Sequence, residues 1–264
     1  MTESFFDFKG SSIRFRHRGK GKAVLFLHGF LESLEMWDSI AKNLPKSIDP
    51  ICIDLPGHGQ SDSLAYVHRM EEFAECCDAL MTHLGKRKVI LFGHSMGGYV
   101  ALAFADLFPD LVSGICLMNS TAKNDNPQKK KDRLRAKELV KQNHKSFIRL
   151  AIPGLFRFKN RIAFRTELNE VKRLALKTPK QGILAAIEGM RLRPNREILL
   201  KFPPYPILFI IGKKDPVIPF DSYASQVQLS EKIEALVLEE SGHMSHIEER
   251  EKCEESIRKF VLKS

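Results

Sequence analysis

Cysteine is scarce and odd in number: Cys52, Cys76, Cys77, Cys116 and Cys253 are the only five in 264 residues. An odd set lying mostly in apolar contexts excludes a disulfide framework, and the spacings suit no metal site. They read as buried thiols in a reducing compartment, so the cytoplasm is the expected location. No apolar stretch approaches the ~20 residues of a membrane span. The opening MTESFFDFKG lacks a basic start followed by an apolar run, so no signal peptide is expected. Internal repeats, low-complexity tracts and nucleic-acid motifs are missing too. What remains, 43% hydrophobic and 28% charged residues, is the composition of a globular protein, with one large core at this length.

The formal net charge of +10 raises the question of a polyanion partner, but it is unevenly placed. Between Lys123 and Arg196 stand 21 Lys and Arg against 6 Asp and Glu, and the rest of the chain is net acidic. Aromatics are scattered through that segment. A solvated helical surface accounts for such a run, and no nucleic-acid partner is expected. A second reading is that Lys129, Lys130, Lys131, Arg133, Arg135 and Lys137, with Arg191, Arg193 and Arg196, steer an anionic substrate towards a cleft.

Periodicity divides the chain. Ser4 to Phe8 and Ile13 to His17 alternate apolar and polar residues around Lys9-Gly10-Ser11, the pattern of an antiparallel hairpin. Continuous apolar runs at Ala23 to Leu27, Val89 to Phe92 and Ile207 to Ile211 read as buried strands, and Ile48 to Ile53, Val112 to Met118 and Ile233 to Leu238 as further strands between them. Helical spacing separates most of them, as in Met70, Phe73, Ala74, Cys77, Leu80, Met81 and Leu84. Alternation of this kind predicts a doubly wound, mostly parallel sheet of about eight strands with helices on both faces. It stops from about 119 to 196, where a basic helical stretch opens on Asn124-Asp125-Asn126-Pro127. That stretch is expected to be a helical cap inserted in a core of residues 1–118 and 197–264.

The chemistry concentrates after the strand at Val89. Gly93-His94-Ser95-Met96-Gly97 joins it at once to a mostly apolar helix stopped by Pro109. So sharp a turn strains its middle residue, and Gly93 and Gly97 stand where side chains would collide. The serine is lifted above the sheet edge, with the next N–H at a helix N-terminus, as a nucleophile requires. Ser95 as a mere helix cap is the plain alternative. Serine also needs a base, and the base an orienting acid. Asp215 lies just past one late strand and His243 just past the last, so the sheet delivers both to the edge that carries Ser95. His246 competes with His243, and Asp125 is the reserve acid. His28 and His94 read as hydrogen-bonding residues beside the site, His58 as a turn residue, and the Asp54 loop as a brace.

With HGF at His28 to Phe30, DLPGHGQSD from Asp54, GHSMGG from Gly93, GKKDPVIP from Gly212 and SGHMSHIEE from Ser241, in that order, the sequence resembles the cap-bearing branch of the α/β-hydrolase superfamily over essentially its whole length. The resemblance implies Ser95 as nucleophile, His243 as general base, Asp215 as orienting acid, and the backbone N–H groups of Phe30 and Met96 as oxyanion hole. It implies no cofactor or metal, and a small-molecule substrate, a carboxylic ester first. The same branch holds carbon–carbon bond hydrolases, lyases and perhydrolases, and the fold also serves as a non-catalytic receptor or scaffold.

Overall fold

In the computed structural model, which describes residues 1–264, the chain starts with the expected hairpin. Strands β1 (Thr2–Phe8) and β2 (Ser11–His17) pair antiparallel from Thr2↔His17 to Phe8↔Ser11. Lys9 and Gly10 both take positive φ, 53° and 79°, the two-residue turn whose twist matches paired strands. Then follow β3 (Lys22–Leu27), α1 (Asp38–Asn43), β4 (Ile48–Ile53), α2 (Met70–His83), β5 (Val89–His94), α3 (Met96–Leu107) and β6 (Val112–Met118). After a helical interval come β7 (Ile207–Gly212), α8 (Asp221–Val227), β8 (Ile233–Leu238), α9 (Ser245–Glu248) and α10 (Arg250–Lys263).

The sheet has eight strands in the order β1-β2-β4-β3-β5-β6-β7-β8, and every pair from β4 to β8 is parallel. Successive side chains of a strand face opposite ways. Leu25, Leu27 and Leu91 therefore pack under α2 and α3, with Phe73, Val100 and Phe104. Val24, Phe26, Ile90 and Phe92 pack on the other face with Trp37, Ile257 and Phe260. All five cysteines are free and buried in these two layers. Burial pushes every one of these thiols well above its ordinary range. No helix is long and apolar enough to cross a membrane.

From β3 the chain steps outward to β4, and from β4 it crosses back to β5 on the other side of β3. The order reverses there, and a crevice opens beyond the carboxyl ends of β3 and β5. Above it lies the interval between β6 and β7: α4 (Pro127–Ala151), α5 (Arg165–Ala175), α6 (Lys180–Leu192) and the short α7 (Ile198–Lys201). Pro127 is the first residue of α4, and the Asn126 side chain accepts the Lys129 N–H at 2.8 Å, which satisfies an orphan donor of the first turn. Asn143 breaks helical geometry within α4, at φ −156° and ψ 92°. These helices share a small core of Val140, Ile148, Ile152, Ala175, Ile183 and Ile187, which packs onto Leu31 beyond β3.

Candidate active site

Ser95 sits between β5 and α3 at φ 49° and ψ −111°, a region L-residues rarely occupy and one that costs on the order of 1–3 kcal/mol. Close packing enforces it. A Cβ on Gly93 would overlap the Gly97 carbonyl, and one on Gly97 would overlap the carbonyl of Leu27 in the neighbouring strand. The Ser95 N–H is tied to the Met118 carbonyl of β6 at 2.9 Å, and the Ser120 hydroxyl donates to the Ser95 carbonyl at 2.7 Å. The strained residue is thus fixed from both sides.

Three residues far apart in sequence meet at its side chain. His243 Nε2 lies 2.9 Å from Ser95 Oγ, and His243 Nδ1 lies 2.7 Å from Asp215 Oδ2. Burial alone would raise the Asp215 carboxyl, but His243 and the N–H groups of Ile218 and Val217 hold it below the usual carboxylate range. The ionised carboxylate accepts from Nδ1–H, which leaves Nε2 a bare acceptor facing the serine hydroxyl. His246, the competing histidine, is buried three residues on, and burial together with His94 pushes it down to about 3. Asp125 lies away from His243, in ion pairs with Arg133 and Arg193.

Asn119 was not singled out in the sequence. Its Nδ2 donates to Asp215 Oδ2 and to the Gly242 carbonyl, each at 3.0 Å, so it clamps the acid to the histidine loop. Its place just after β6, at the same sheet edge, is the signal that could have found it. Glu32 was missed too, and nothing in its neighbourhood of the sequence points to it. Its carboxylate accepts the Gly29 N–H at 2.6 Å and faces His94 Nδ1 at 2.7 Å. His94 Nε2 faces the His243 carbonyl at 2.9 Å. A ring with an acceptor at each nitrogen must donate from both, so His94 is an imidazolium. Burial opposes this, but Glu32 outweighs it and raises His94, while Glu32 itself is held at about 2.

The remaining histidines brace the loops. His28 is fully buried, and burial keeps it neutral. It accepts the Leu55 N–H at 2.9 Å and donates to the Gly29 carbonyl at 2.8 Å, fixing the turn into Phe30. The His58 ring is more than a turn residue, because it is buried against His28 and Phe73. Asp54 accepts from the Leu34 and Gln60 N–H groups and from Arg14. The Phe30 N–H has no acceptor within the protein, and Met96 opens α3, where N–H groups have no intrahelical partner. A cavity of about 120 Å³ lies at this point, lined by Phe30, Ser95, Tyr99, Met190, Val217 and His243 among others. A larger one of about 320 Å³, between Met36 and Val171, does not reach Ser95.

Residues 22–250 match the family described as alpha/beta hydrolase fold. The chain belongs to that family. Among similar proteins, the dihydrolipoyllysine-residue acetyltransferase component of the acetoin cleaving system of Pseudomonas putida is 30% identical over 247 residues, 92% of this chain and 64% of that protein. Human monoacylglycerol lipase ABHD6 is 39% identical over 113 residues, 39% of this hydrolase-fold chain and 32% of the lipase. The chain therefore spans less than two thirds of the length of either relative. Among solved structures, a thermophilic esterase from Thermogutta terrifontis, malate bound, aligns with a TM-score of 0.91 at 29% identity, covering 100% of this chain and 99% of that one. An enol-lactonase from Burkholderia xenovorans aligns with a TM-score of 0.90 over 98% and 100% of the two chains, and at 18% identity the likeness is one of fold.

Proposed function

We propose that this α/β hydrolase is a cofactor-free serine hydrolase that cleaves small carboxylic esters through an acyl-enzyme. In this reading residues 1–118 and 197–264 are the hydrolase core and 119–196 the cap over its crevice. The observation that carries it is the hydrogen-bonded chain from Ser95 Oγ through His243 to Asp215 at the floor of a cavity. The esterase and lipase among the similar proteins agree with it.

Ser95 Oγ attacks the ester carbonyl as its proton passes to His243 Nε2. Asp215 stays ionised and stabilises the imidazolium that forms. The Phe30 and Met96 N–H groups meet the oxyanion, a contribution on the order of 3 kcal/mol per donor in comparable sites. His243 then gives the proton to the departing alcohol, and the acyl group stays on Oγ. Water, deprotonated by the same nitrogen, attacks the acyl carbonyl, and the carboxylic acid leaves as Ser95 regains its proton. A cavity well below the ~300 Å³ of ordinary ligand pockets suits a short acyl group.

Two measurements test this reading. A fluorophosphonate probe should label wild-type protein at one site and leave Ser95→Ala unlabelled. In a panel of short p-nitrophenyl esters and a vinylogous diketone, the esters should turn over and the diketone should not. Cleavage of the diketone alone would replace ester hydrolysis by carbon–carbon hydrolysis.

A further inference from the structure

Ten of the 21 basic residues of the helical interval stand in ion pairs. Lys137 and Arg191 share Glu188, and Arg196 reaches Glu71 and Asp106. Lys129 and Arg133 differ, because both line the cavity that holds Ser95 and His243. They lie one turn apart on α4, so they present neighbouring side chains to one space.

The charge around them does not cancel. The groups acting most strongly on Lys129 are Arg133, Asp125, Arg193 and Asp215. Arg133 and Arg193 both pair with Asp125, whose side chain is 1% exposed. Three cations thus stand against two carboxylates, a surplus of one positive charge beside the cavity. The Glu32 and His94 pair, also at its wall, cancels itself. Lys129 has no carboxylate partner of its own: its ammonium donates to the Val217 carbonyl at 2.8 Å and to no other protein group. An ammonium has three donors. Loss of water and the nearby Arg133 push Lys129 below the usual lysine range. A half-buried cation with one neutral partner is costly unless an anion joins it.

We propose that Lys129 and Arg133 form a carboxylate-binding subsite of the Ser95 cavity, so that the substrate carries an ionised carboxyl group a few bonds from the bond that is cleaved. This rests on the ester-hydrolase reading for the cleaved bond, whereas the subsite itself rests on the cation surplus and the shared cavity. A surplus of one charge matches a monoanion, and the small cavity keeps the two ends of the substrate close. Short monoesters of dicarboxylic acids have this chemistry. The competing role for Lys129 is a tether from α4 to the Val217 carbonyl, which would serve every substrate alike.

Binding and turnover separate these possibilities. Monomethyl succinate and methyl butyrate, similar in length and differing in charge, are titrated calorimetrically into full-length Ser95→Ala protein, which cannot consume them. The anionic ester should bind at least tenfold more tightly. Lys129→Met should reduce that preference at least tenfold, and Lys129→Arg, which keeps the charge, should retain most of it. Circular dichroism melts of both variants check folding. Equal affinity for the two esters, or equal losses for both in Lys129→Met, overturns the subsite. The two esters are then offered to protein with Ser95 intact. Preferential binding of the anion without turnover of either ester keeps the subsite and overturns the ester-hydrolase reading.

Discussion

His94 Nε2 donates to the main-chain carbonyl of His243 at 2.9 Å, although the two residues are 149 positions apart. The loop that carries His243 is therefore held by a buried cation, and that cation by Glu32. Glu32→Gln removes the counter-charge and leaves a buried imidazolium uncompensated. Breaking such a pair costs ~3 kcal/mol or more. The midpoint of thermal unfolding should drop by roughly 6–12 °C, and turnover by about tenfold as His243 loses its register with Ser95. An unchanged melting point would mean that the pair contributes nothing to the fold.

Ser95 is strained where glycine would not be. Ser95→Gly should abolish ester turnover yet raise stability by ~1 kcal/mol, because glycine adopts positive φ without a Cβ clash. Chemical denaturation of Ser95→Gly beside Ser95→Ala, which keeps the Cβ, is the check. Equal stability of the two variants would show that the turn is unstrained.

Asn119 is fully buried and does not line the cavity at Ser95, and its side chain holds Asp215. Asn119→Ala should lower kcat about tenfold through a misaligned acid, with little change in KM, since the cavity walls stay in place. Asn119→Asp should be worse, because a second carboxylate beside Asp215 repels it. A change confined to KM would contradict the positioning role.

Acid should destabilise the protein in two steps. His246 is neutral when folded, near 3, and takes up a proton in the unfolded chain at its ordinary 6.5, so it loses stability from about pH 6.5 downward. The loss is ~1.4 kcal/mol per pH unit, roughly 2 kcal/mol between pH 6.5 and 5.0. Glu32, folded near 2 and ordinarily 4.5, contributes stability that is complete above about pH 4.5 and lost as pH falls towards 2. Urea denaturation at pH 7.5 and 5.0 should show the first step, and His246→Phe should shrink it by about that amount, leaving the share of the similarly buried His28, His58 and His68 and the whole of the second step.

The strands and the turn at Ser95 were legible because their signals are local. Apolar runs of strand length, two glycines about a serine, and Pro127 opening α4 each act within a few residues. The edge to which Asp215 and His243 are delivered follows from parallel topology alone. Glu32 and Asn119 were not legible in this way, because their partners lie 62 and 96 positions away and a lone Glu or Asn in a loop has many other uses. The basic run gave no sign of which members face inward. Only the placement of α4 over the crevice separates Lys129 and Arg133 from the lysines beside them. The four-residue helices α7 and α9 are too short for a periodic signal.

The five cysteines, spread over both faces of the sheet, have a practical consequence. A thiol reagent can reach none of them in the folded protein, and burial keeps each in its unreactive protonated form. Modification must wait for the core to open, so the rate of labelling clocks unfolding itself. Cys76 and Cys77 report from under the first hairpin and Cys253 from α10. Peptide mapping of labelled protein would therefore reveal which side of the sheet lets go first.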